Sequence, residues 1–205
     1  MISRYLRLVQ YACLFAGLGA MGVCVFFWAH AKVYQFRQAR LFDRELHRAR
    51  ANPARRAVAP PPPPVLRDGT VVGRIEIPRL GLSTMVVEGV NDRDLSRAVG
   101  HIPGTPLPWQ PGNVAIAGHR DTFFRPLRRI RRGDLITLRT LEGSFRYSVV
   151  STTVVRPEDV WVLDSLSRKT LTLVTCYPFY YVGPAPERFV ITAEQLSHPL
   201  TSPPA

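Results

Sequence analysis

The sequence predicts a mainly β domain with short helices, preceded by one N-terminal helix long enough to span a membrane. After residue 70, seven or eight short runs of β-branched and apolar residues are separated by Gly and Pro. These runs do not alternate with helical segments in repeating βα units, so an antiparallel closed barrel or a sandwich is expected. Near the N-terminus, an uncharged stretch of 22 residues supplies the predicted membrane helix.

The first element is this apolar stretch, Leu8 to Ala29, which contains no charged residue. Arg4 and Arg7 precede it, an arrangement that also fits the basic region of a cleaved signal peptide. However, the stretch is longer than a signal-peptide core and ends in Phe26-Phe27-Trp28, without a small-x-small cleavage site. We therefore expect residues 1–30 to form an uncleaved membrane anchor, with membrane lipid as its partner.

Residues 31–67 are predicted to form a basic helical stalk and a linker. Ala31 to Arg50 contains no Pro or Gly, which favours a helical continuation that ends near Ala51. The arginines of this helix contact anionic lipid head groups in one interpretation and are simply solvated in the other. Ala59 to Pro64 is an alanine followed by five prolines, a pattern more typical of a stiff spacer than of a ligand for another domain.

The positive charge is concentrated in these N-terminal segments. Residues 1–67 hold 11 Lys/Arg and 2 Asp/Glu, a net charge of +9, whereas residues 68–205 hold 16 and 13, a net charge of +3. The basic excess lies mostly outside the predicted domain, and few aromatic residues interleave the arginines, so nucleic acid is not an expected partner. Counted alone, the cations after the helix place its C-terminal side in the cytoplasm, although long domains translocate largely regardless of charge.

The folded domain is predicted over residues 68–196, and residues 197–205 are predicted to be a flexible tail. Short helices are expected from Asn91 to Ala98 and from Thr122 to Ile130, with a loop over residues 101–112. The first five predicted strands are Val71–Ile77, Thr84–Glu88, Val114–Ala117, Asp134–Leu141 and Ser144–Val155. The last two of these strands should form a hairpin.

The next predicted strand, Thr170 to Cys176, alternates Thr and Leu before a final Val-Thr and ends on a thiol. Tyr177-Pro178 and Gly183 to Pro186 interrupt regular pairing, and a second β-type run begins at Arg188. Antiparallel pairing of these strands brings the Arg188 guanidinium beside the Cys176 sulfur. A fixed cation in that position favours a thiolate or stabilises a developing oxyanion.

His119 is the candidate base, because it ends a comparable apolar run that starts at Asn113. His101 is its rival inside the domain, and Asp121 either orients the imidazole or serves as a surface or cap residue. An alternative to a reactive role for Cys176 is that of a small buried core residue. The chain contains no metal-ligand spacing and no nucleotide-binding glycine motif, so neither a metal nor a cofactor is expected.

Three motifs in this order carry a resemblance to a known family. Thr172 to Cys176 resembles the TLxTC signature of sortases, and Ala117 to Leu127 resembles the segment that carries the sortase histidine. Glu187 to Ile191 resembles the strand that carries the sortase arginine, and the run that follows Cys176 is most similar to class D sortases. The resemblance extends from about Gly73 to Ala193. It implies a closed eight-stranded sortase-type β-barrel rather than a sandwich.

The resemblance also implies a function, that of a membrane-anchored cysteine transpeptidase. Such an enzyme cleaves a C-terminal sorting signal close to Leu-Pro-x-Thr-Gly and transfers the acyl group to an amine of the cell envelope. Cys176 would be the nucleophile, His119 the acid and base, and Arg188 the oxyanion or substrate ligand, while Thr175 would help to bind substrate. The partners implied are substrate proteins with a sorting signal and the amine acceptor. The domain would then lie on the outer side of the bacterial membrane, whereas the count of positive charges alone places it in the cytoplasm.

Two further questions stay open at the level of sequence. One alternative function is a catalytically inactive, membrane-tethered barrel that binds a peptide by strand addition. The other question concerns six crowded arginines, which either form a solvated face or dock to anionic lipid or an envelope acceptor. These residues are Arg120, Arg125, Arg128, Arg129, Arg131 and Arg132.

Overall fold

The computed structural model describes residues 2–51, 66–164 and 168–196. The predicted spacer at 59–64 and the predicted tail at 197–205 lie outside these residues. The helices are α1 (Ile2–Ala51) and α2 (Asp92–Leu95), with 3-10 turns at Pro78–Leu80, Arg125–Arg129 and Val160–Leu163. The strands are β1 (Val71–Ile77), β2 (Leu82–Glu88), β3 (Val99–His101), β4 (Asn113–Ala117), β5 (Leu135–Arg139), β6 (Ser144–Val155), β7 (Thr170–Tyr177) and β8 (Glu187–Gln195).

The eight strands close into a barrel in the order β1-β2-β3-β4-β7-β8-β6-β5. The closed barrel is the predicted fold, but its strands are not all antiparallel. The β2–β3 and β4–β7 pairs are parallel. A parallel pair needs a long crossover, which β5 and β6 provide between β4 and β7. The expectation of a purely antiparallel barrel was wrong, because local sequence patterns report hairpins between successive strands and not such distant pairings.

The barrel interior is filled by aliphatic and aromatic side chains from every strand, and the short β3 contributes Val99. Residues with no exposed surface include Ile75, Ile136, Leu171, Leu173 and Ile191. Both faces of β7 are buried over its first four residues, although the Thr/Leu alternation predicts burial of one face only. Asn113 makes this possible, since its Oδ1 accepts hydrogen bonds from the hydroxyls of Thr170, at 3.1 Å, and Thr172, at 2.8 Å.

The short elements depart most from their predicted bounds. Asn91 caps α2 as expected, its side chain accepting from the Asp94 amide at 3.0 Å, but the helix ends at Leu95 rather than Ala98. The second predicted helix is a 3-10 turn with Pro126 in its first turn. His101, expected in a loop, belongs instead to β3, whose three residues are too few to produce a recognisable alternation.

Helix α1 is continuous through the predicted anchor and stalk and is about 75 Å long. It contains a segment long and apolar enough to cross a membrane, and the apolar part of that segment packs against no other part of the described chain. Beyond Ala29, one face of α1 is covered by the barrel, while Arg37, Arg40, Arg44 and Arg48 remain exposed. The covered side chains recur every three or four residues: Ala31, Tyr34, Gln35, Gln38, Ala39, Phe42, Asp43, Leu46 and Ala49.

Candidate active site

Cys176 and Arg188 are direct register partners across the antiparallel β7–β8 pair. Side chains directly opposite each other in such a pair project from the same face of the sheet, with Cβ atoms about 5 Å apart. Both residues are half-buried, so each is shielded from bulk water but still reachable. The predicted strands therefore bring a thiol and a guanidinium together at one end of the barrel.

The Arg188 guanidinium is oriented by the loop that precedes β8. Its Nη1 donates hydrogen bonds to the carbonyl oxygens of Ala185, at 3.2 Å, and Glu187, at 3.0 Å. Among the described residues no carboxylate forms an ion pair with Arg188, and the neighbouring Glu187 is no exception. The positive charge of Arg188 consequently has no protein counter-ion from that part of the chain.

His119 reaches the same end of the barrel from the neighbouring strand. Strand β4 runs parallel to β7 with Ala117 opposite Val174, so the C-terminal ends of both strands lie together. Gly118 separates β4 from His119 and packs tightly: a Cβ there would lie 2.7 Å from a ring carbon of Phe124 and 2.9 Å from Val99. A larger residue would displace the backbone immediately before the half-buried imidazole.

Thr175 links the cysteine strand to the histidine segment. Its hydroxyl donates to the Gly118 carbonyl at 2.7 Å, and the Gly118 amide donates to the Val174 carbonyl at 3.1 Å. Because only 2% of Thr175 is exposed, its hydroxyl is committed to this internal contact. Substrate binding by Thr175 therefore stays a prediction for its backbone, while its side chain holds the two strand ends in place.

His101, the rival candidate base, is a buried core residue with both ring nitrogens engaged. Its Nδ1 lies 2.7 Å from Oε2 of Glu88, and its Nε2 lies 3.1 Å from both the Pro106 carbonyl and the Thr105 hydroxyl. This side chain fastens β3 to the loop that follows it. Its partners leave neither nitrogen free to exchange a proton with a substrate.

Two of the six crowded arginines hold the loop between β7 and β8, a role that the sequence did not reveal. Arg120 Nη2 donates to the carbonyls of Tyr181, at 2.7 Å, and Gly183, at 3.0 Å. Arg128 contacts the Tyr180 hydroxyl and lies 5.4 Å from the centre of that ring. The tyrosines next to the cysteine motif were the available sequence signal for these contacts. However, the spacing of residues along the chain does not show which of them come into contact when they are more than 50 positions apart.

The base of the same loop is an aromatic cluster, while its tip is exposed. The rings of Tyr177, Phe179 and Phe189 lie 5.4–6.1 Å apart between centres. At the tip, Tyr180 is 75% exposed and Val182 is 96% exposed. The loop is thus anchored at both ends and presents uncovered apolar side chains beside the thiol.

The three candidate catalytic groups can together support acyl transfer: a thiol to attack, an imidazole to move protons and a cation to stabilise an oxyanion. Within the described ranges, no three His, Cys, Asp or Glu side chains are grouped as a metal site would require. Asp121 is exposed and, among the described residues, makes no hydrogen bond to His119.

Comparisons with known proteins agree with the motifs. Residues 75–196 match the family model described as Sortase domain. Sortase D of Bacillus subtilis (strain 168) is 36% identical over 130 residues, which cover 63% of this chain and 66% of that protein. Sortase A of Listeria monocytogenes serovar 1/2a is 31% identical over 110 residues, covering 52% of this chain and 49% of that protein. The matched region thus spans from about half to just under two thirds of these relatives.

Solved structures show the same architecture. The sortase D5 transpeptidase of Clostridium perfringens superposes with a TM-score of 0.62 at 25% identity, over 81% of this chain and 98% of that chain. Sortase A of Listeria monocytogenes superposes with a TM-score of 0.58 at 27% identity, over 62% of this chain and 88% of that chain.

Proposed function

This chain belongs to the sortase family, and we propose that it acts as a membrane-anchored cysteine transpeptidase of the class D type. The observation that carries the proposal is the register pair of Cys176 and Arg188, next to the strand end that leads to His119. These three residues would supply a thiol, a cation and an imidazole, the set of groups that thiol-based acyl transfer needs.

In the first half-reaction, the Cys176 sulfur adds to the carbonyl carbon of the scissile peptide bond in a C-terminal sorting signal. The thiol proton passes through His119 to the leaving amine as the carbon–nitrogen bond breaks. The acyl group remains on the sulfur as a thioester. Similarity to the family supports a signal close to Leu-Pro-x-Thr-Gly.

In the second half-reaction, an amine of the cell envelope attacks the thioester carbon and loses a proton to His119. The carbon–sulfur bond breaks, a new amide forms, and the proton returns through His119 to the Cys176 sulfur. Water that takes the place of the amine releases the substrate as a carboxylic acid. Both half-reactions pass through a tetrahedral oxyanion, and we assign its stabilisation to the Arg188 guanidinium.

The proposed site of action is the extracytoplasmic face of the bacterial membrane, with α1 as a single-pass anchor. The length and composition of the apolar segment support a membrane span. A thiol that works outside the cytoplasm must escape disulfide formation, and Cys176 is the only cysteine outside α1.

The test is a turnover assay on the full chain in detergent micelles, with a library of sorting-signal peptides and with or without an added amine. Mass spectrometry should detect the peptide's N-terminal part on the protein, then its transfer to the amine. Cys176→Ala should abolish both signals. The matched control replaces Cys13 and Cys24 with Ser, which leaves Cys176 as the only thiol, and should retain activity. Turnover by Cys176→Ala would exclude this mechanism, and peptide binding without cleavage would favour the inactive peptide-binding barrel.

A further inference from the structure

The end of the barrel that carries Cys176, here called the Cys176 end, also carries the positive charge of the folded domain. Residues 119–134, which join β4 to β5 at this end, hold six arginines and two aspartates. The rest of residues 68–205 holds 10 Lys/Arg and 11 Asp/Glu, a net charge of −1. We propose that the Cys176 end rests on the surface of an anionic phospholipid membrane, an inference that depends on the proposed membrane anchoring.

Five of these six arginines are available to an external anion. They are exposed, and none of the five belongs to an ion pair among the described residues. The five are Arg125, Arg128, Arg129, Arg131 and Arg132. Asp134 does not neutralise them, because its carboxylate pairs with Arg79, and the exposed Asp121 can balance only one of them. The Cys176 end therefore presents a positive surface that attracts lipid phosphates.

An exposed apolar loop tip lies beside these arginines. Arg120 bonds the carbonyl of Tyr181, and Arg128 contacts Tyr180, both in the loop between β7 and β8. The side chains of Tyr180 and Val182 at the tip of this loop are uncovered. A soluble anionic polymer would match the arginines alone, whereas a membrane interface offers phosphates to the arginines and an apolar layer to the tip. The combination favours a lipid surface as the partner.

The direction of α1 turns the Cys176 end towards the membrane. Gln35 Oε1 accepts a hydrogen bond from the Met85 amide at 2.9 Å, and further along α1 Phe42 and Leu46 pack in a cluster that includes Val87. Residue numbers therefore rise together along α1 and β2. Strand β2 begins at the Cys176 end, because it is parallel to β3, β3 is antiparallel to β4, and β4 is parallel to β7. The apolar N-terminal part of α1 and the Cys176 end consequently lie on the same side of the molecule.

The lengths of the two elements place the Cys176 end at the level of the lipid head groups. Gln35 lies six residues beyond Ala29, the last residue of the apolar segment, which is about 9 Å along a helix. Leu82, the first residue of β2, lies three residues before Met85, which is about 10 Å along a strand. The start of β2 therefore reaches back to the level at which the apolar segment ends, where the head groups begin.

The experiment attaches one NBD fluorophore to the full chain in nanodiscs of phosphatidylcholine and phosphatidylglycerol that contain phosphatidylcholine with a nitroxide on its acyl chain. Three single-cysteine proteins are compared, all with Cys176→Ala: Val182→Cys at the loop tip, Glu142→Cys at the opposite end of the barrel, and a protein that keeps the native Cys24. The remaining native cysteines are replaced by Ser. The nitroxide should quench Val182→Cys at least about fivefold more strongly than Glu142→Cys, because an interfacial apolar side chain is buried among the acyl chains by several ångströms.

The role of the arginines is tested in the Val182→Cys protein. Arg129→Gln combined with Arg132→Gln should remove most of the quenching, and so should discs of phosphatidylcholine without phosphatidylglycerol. The control pair, Arg93→Gln with Arg168→Gln, removes the same charge from exposed positions outside residues 119–134 and should keep the quenching. Equal loss in both double variants would overturn the docking surface, because only the total charge would then matter. Full quenching without phosphatidylglycerol would exclude anionic lipid as the partner.

The native Cys24 serves as the control for the anchor, since it lies within the apolar segment. Quenching at Cys24 without quenching at Val182→Cys would overturn the docking surface and leave the Cys176 end to a soluble partner. Absence of quenching at Cys24 would instead mean that the anchoring itself fails. Because every labelled protein carries Cys176→Ala, these outcomes do not depend on the proposed chemistry.

Discussion

Arg188 shows how a single side chain is prepared for one task. Two backbone carbonyls fix its Nη1, while its other N–H groups make no hydrogen bond to the described residues. The planar guanidinium can therefore present a second edge to a developing oxyanion without rearranging. A lysine would retain the charge but lose the planar fork that allows both contacts.

Arg188→Lys should lower kcat by at least about tenfold, because the oxyanion donor is misplaced. The melting temperature should change little, since no ion pair in the described chain is broken. Steady-state kinetics and thermal unfolding of the same preparation measure both quantities. A near-normal kcat, or a loss of activity that only follows unfolding, would contradict the catalytic role.

Arg120 is expected to act as a positioning residue for the loop between β7 and β8. Arg120→Gln removes its hydrogen bonds to the Tyr181 and Gly183 carbonyls, so the KM for a peptide should rise about three- to tenfold, with a smaller change in kcat. Arg125→Gln is the matched control, because Arg125 is an exposed arginine of the same segment. Equal effects of the two substitutions would mean that only charge matters.

The pairing of Cys176 with Arg188 was predicted correctly, because it depends only on two strands joined by one loop. It could not assign Arg120, whose loop partner Tyr181 is 61 residues away. It also left His119 and His101 as competitors. What separates them is that His101 is buried against Glu88, a contact set by the parallel β2–β3 pairing.

At the scale of elements, long strands and pairings between consecutive strands could be predicted from sequence. The long strands β6 and β7 and the hairpin of β5 and β6 follow from alternation and from the turn residues between them. The contact of α1 with β1 and β2, here called the helix–barrel seam, was not predicted, because Gln35 and Gln38 interrupt the apolar face of the stalk. A polar side chain on a helix does not by itself indicate packing, yet Gln35 hydrogen-bonds to the backbone of the folded domain.

The helix–barrel seam should contribute measurably to stability. Phe42→Ala removes a buried ring and should lower the free energy of unfolding of the detergent-solubilised chain by about 3 kcal/mol. Leu41→Ala, at a neighbouring position that is 51% exposed, is the control and should have little effect. Denaturant titration of both variants gives the comparison. Equal stability of the two variants would show that the stalk does not pack on the barrel in solution.

At the scale of the whole molecule, the seam and the candidate active site lie on opposite walls of the barrel. Strand β7 is four positions from β1 in either direction around the ring. Because α1 packs on β1 and β2, this helix does not cover the strand that carries Cys176. Cys176 therefore lies on a wall of the barrel that α1 leaves uncovered.

The orientation of this assembly in the membrane gives the last prediction, and two arguments oppose each other. The cations after the apolar segment outnumber Arg4 and Arg7, which favours a cytoplasmic barrel. However, several of these cations belong to a helix that is packed on a folded domain, and long domains translocate largely regardless of charge. We therefore expect the barrel outside. Alkaline phosphatase fused after Ala205 should be active in cells, whereas a green fluorescent protein fusion exported through the general secretory pathway should stay dark. The reverse pattern would place Cys176 in the cytoplasm and remove its access to envelope acceptors.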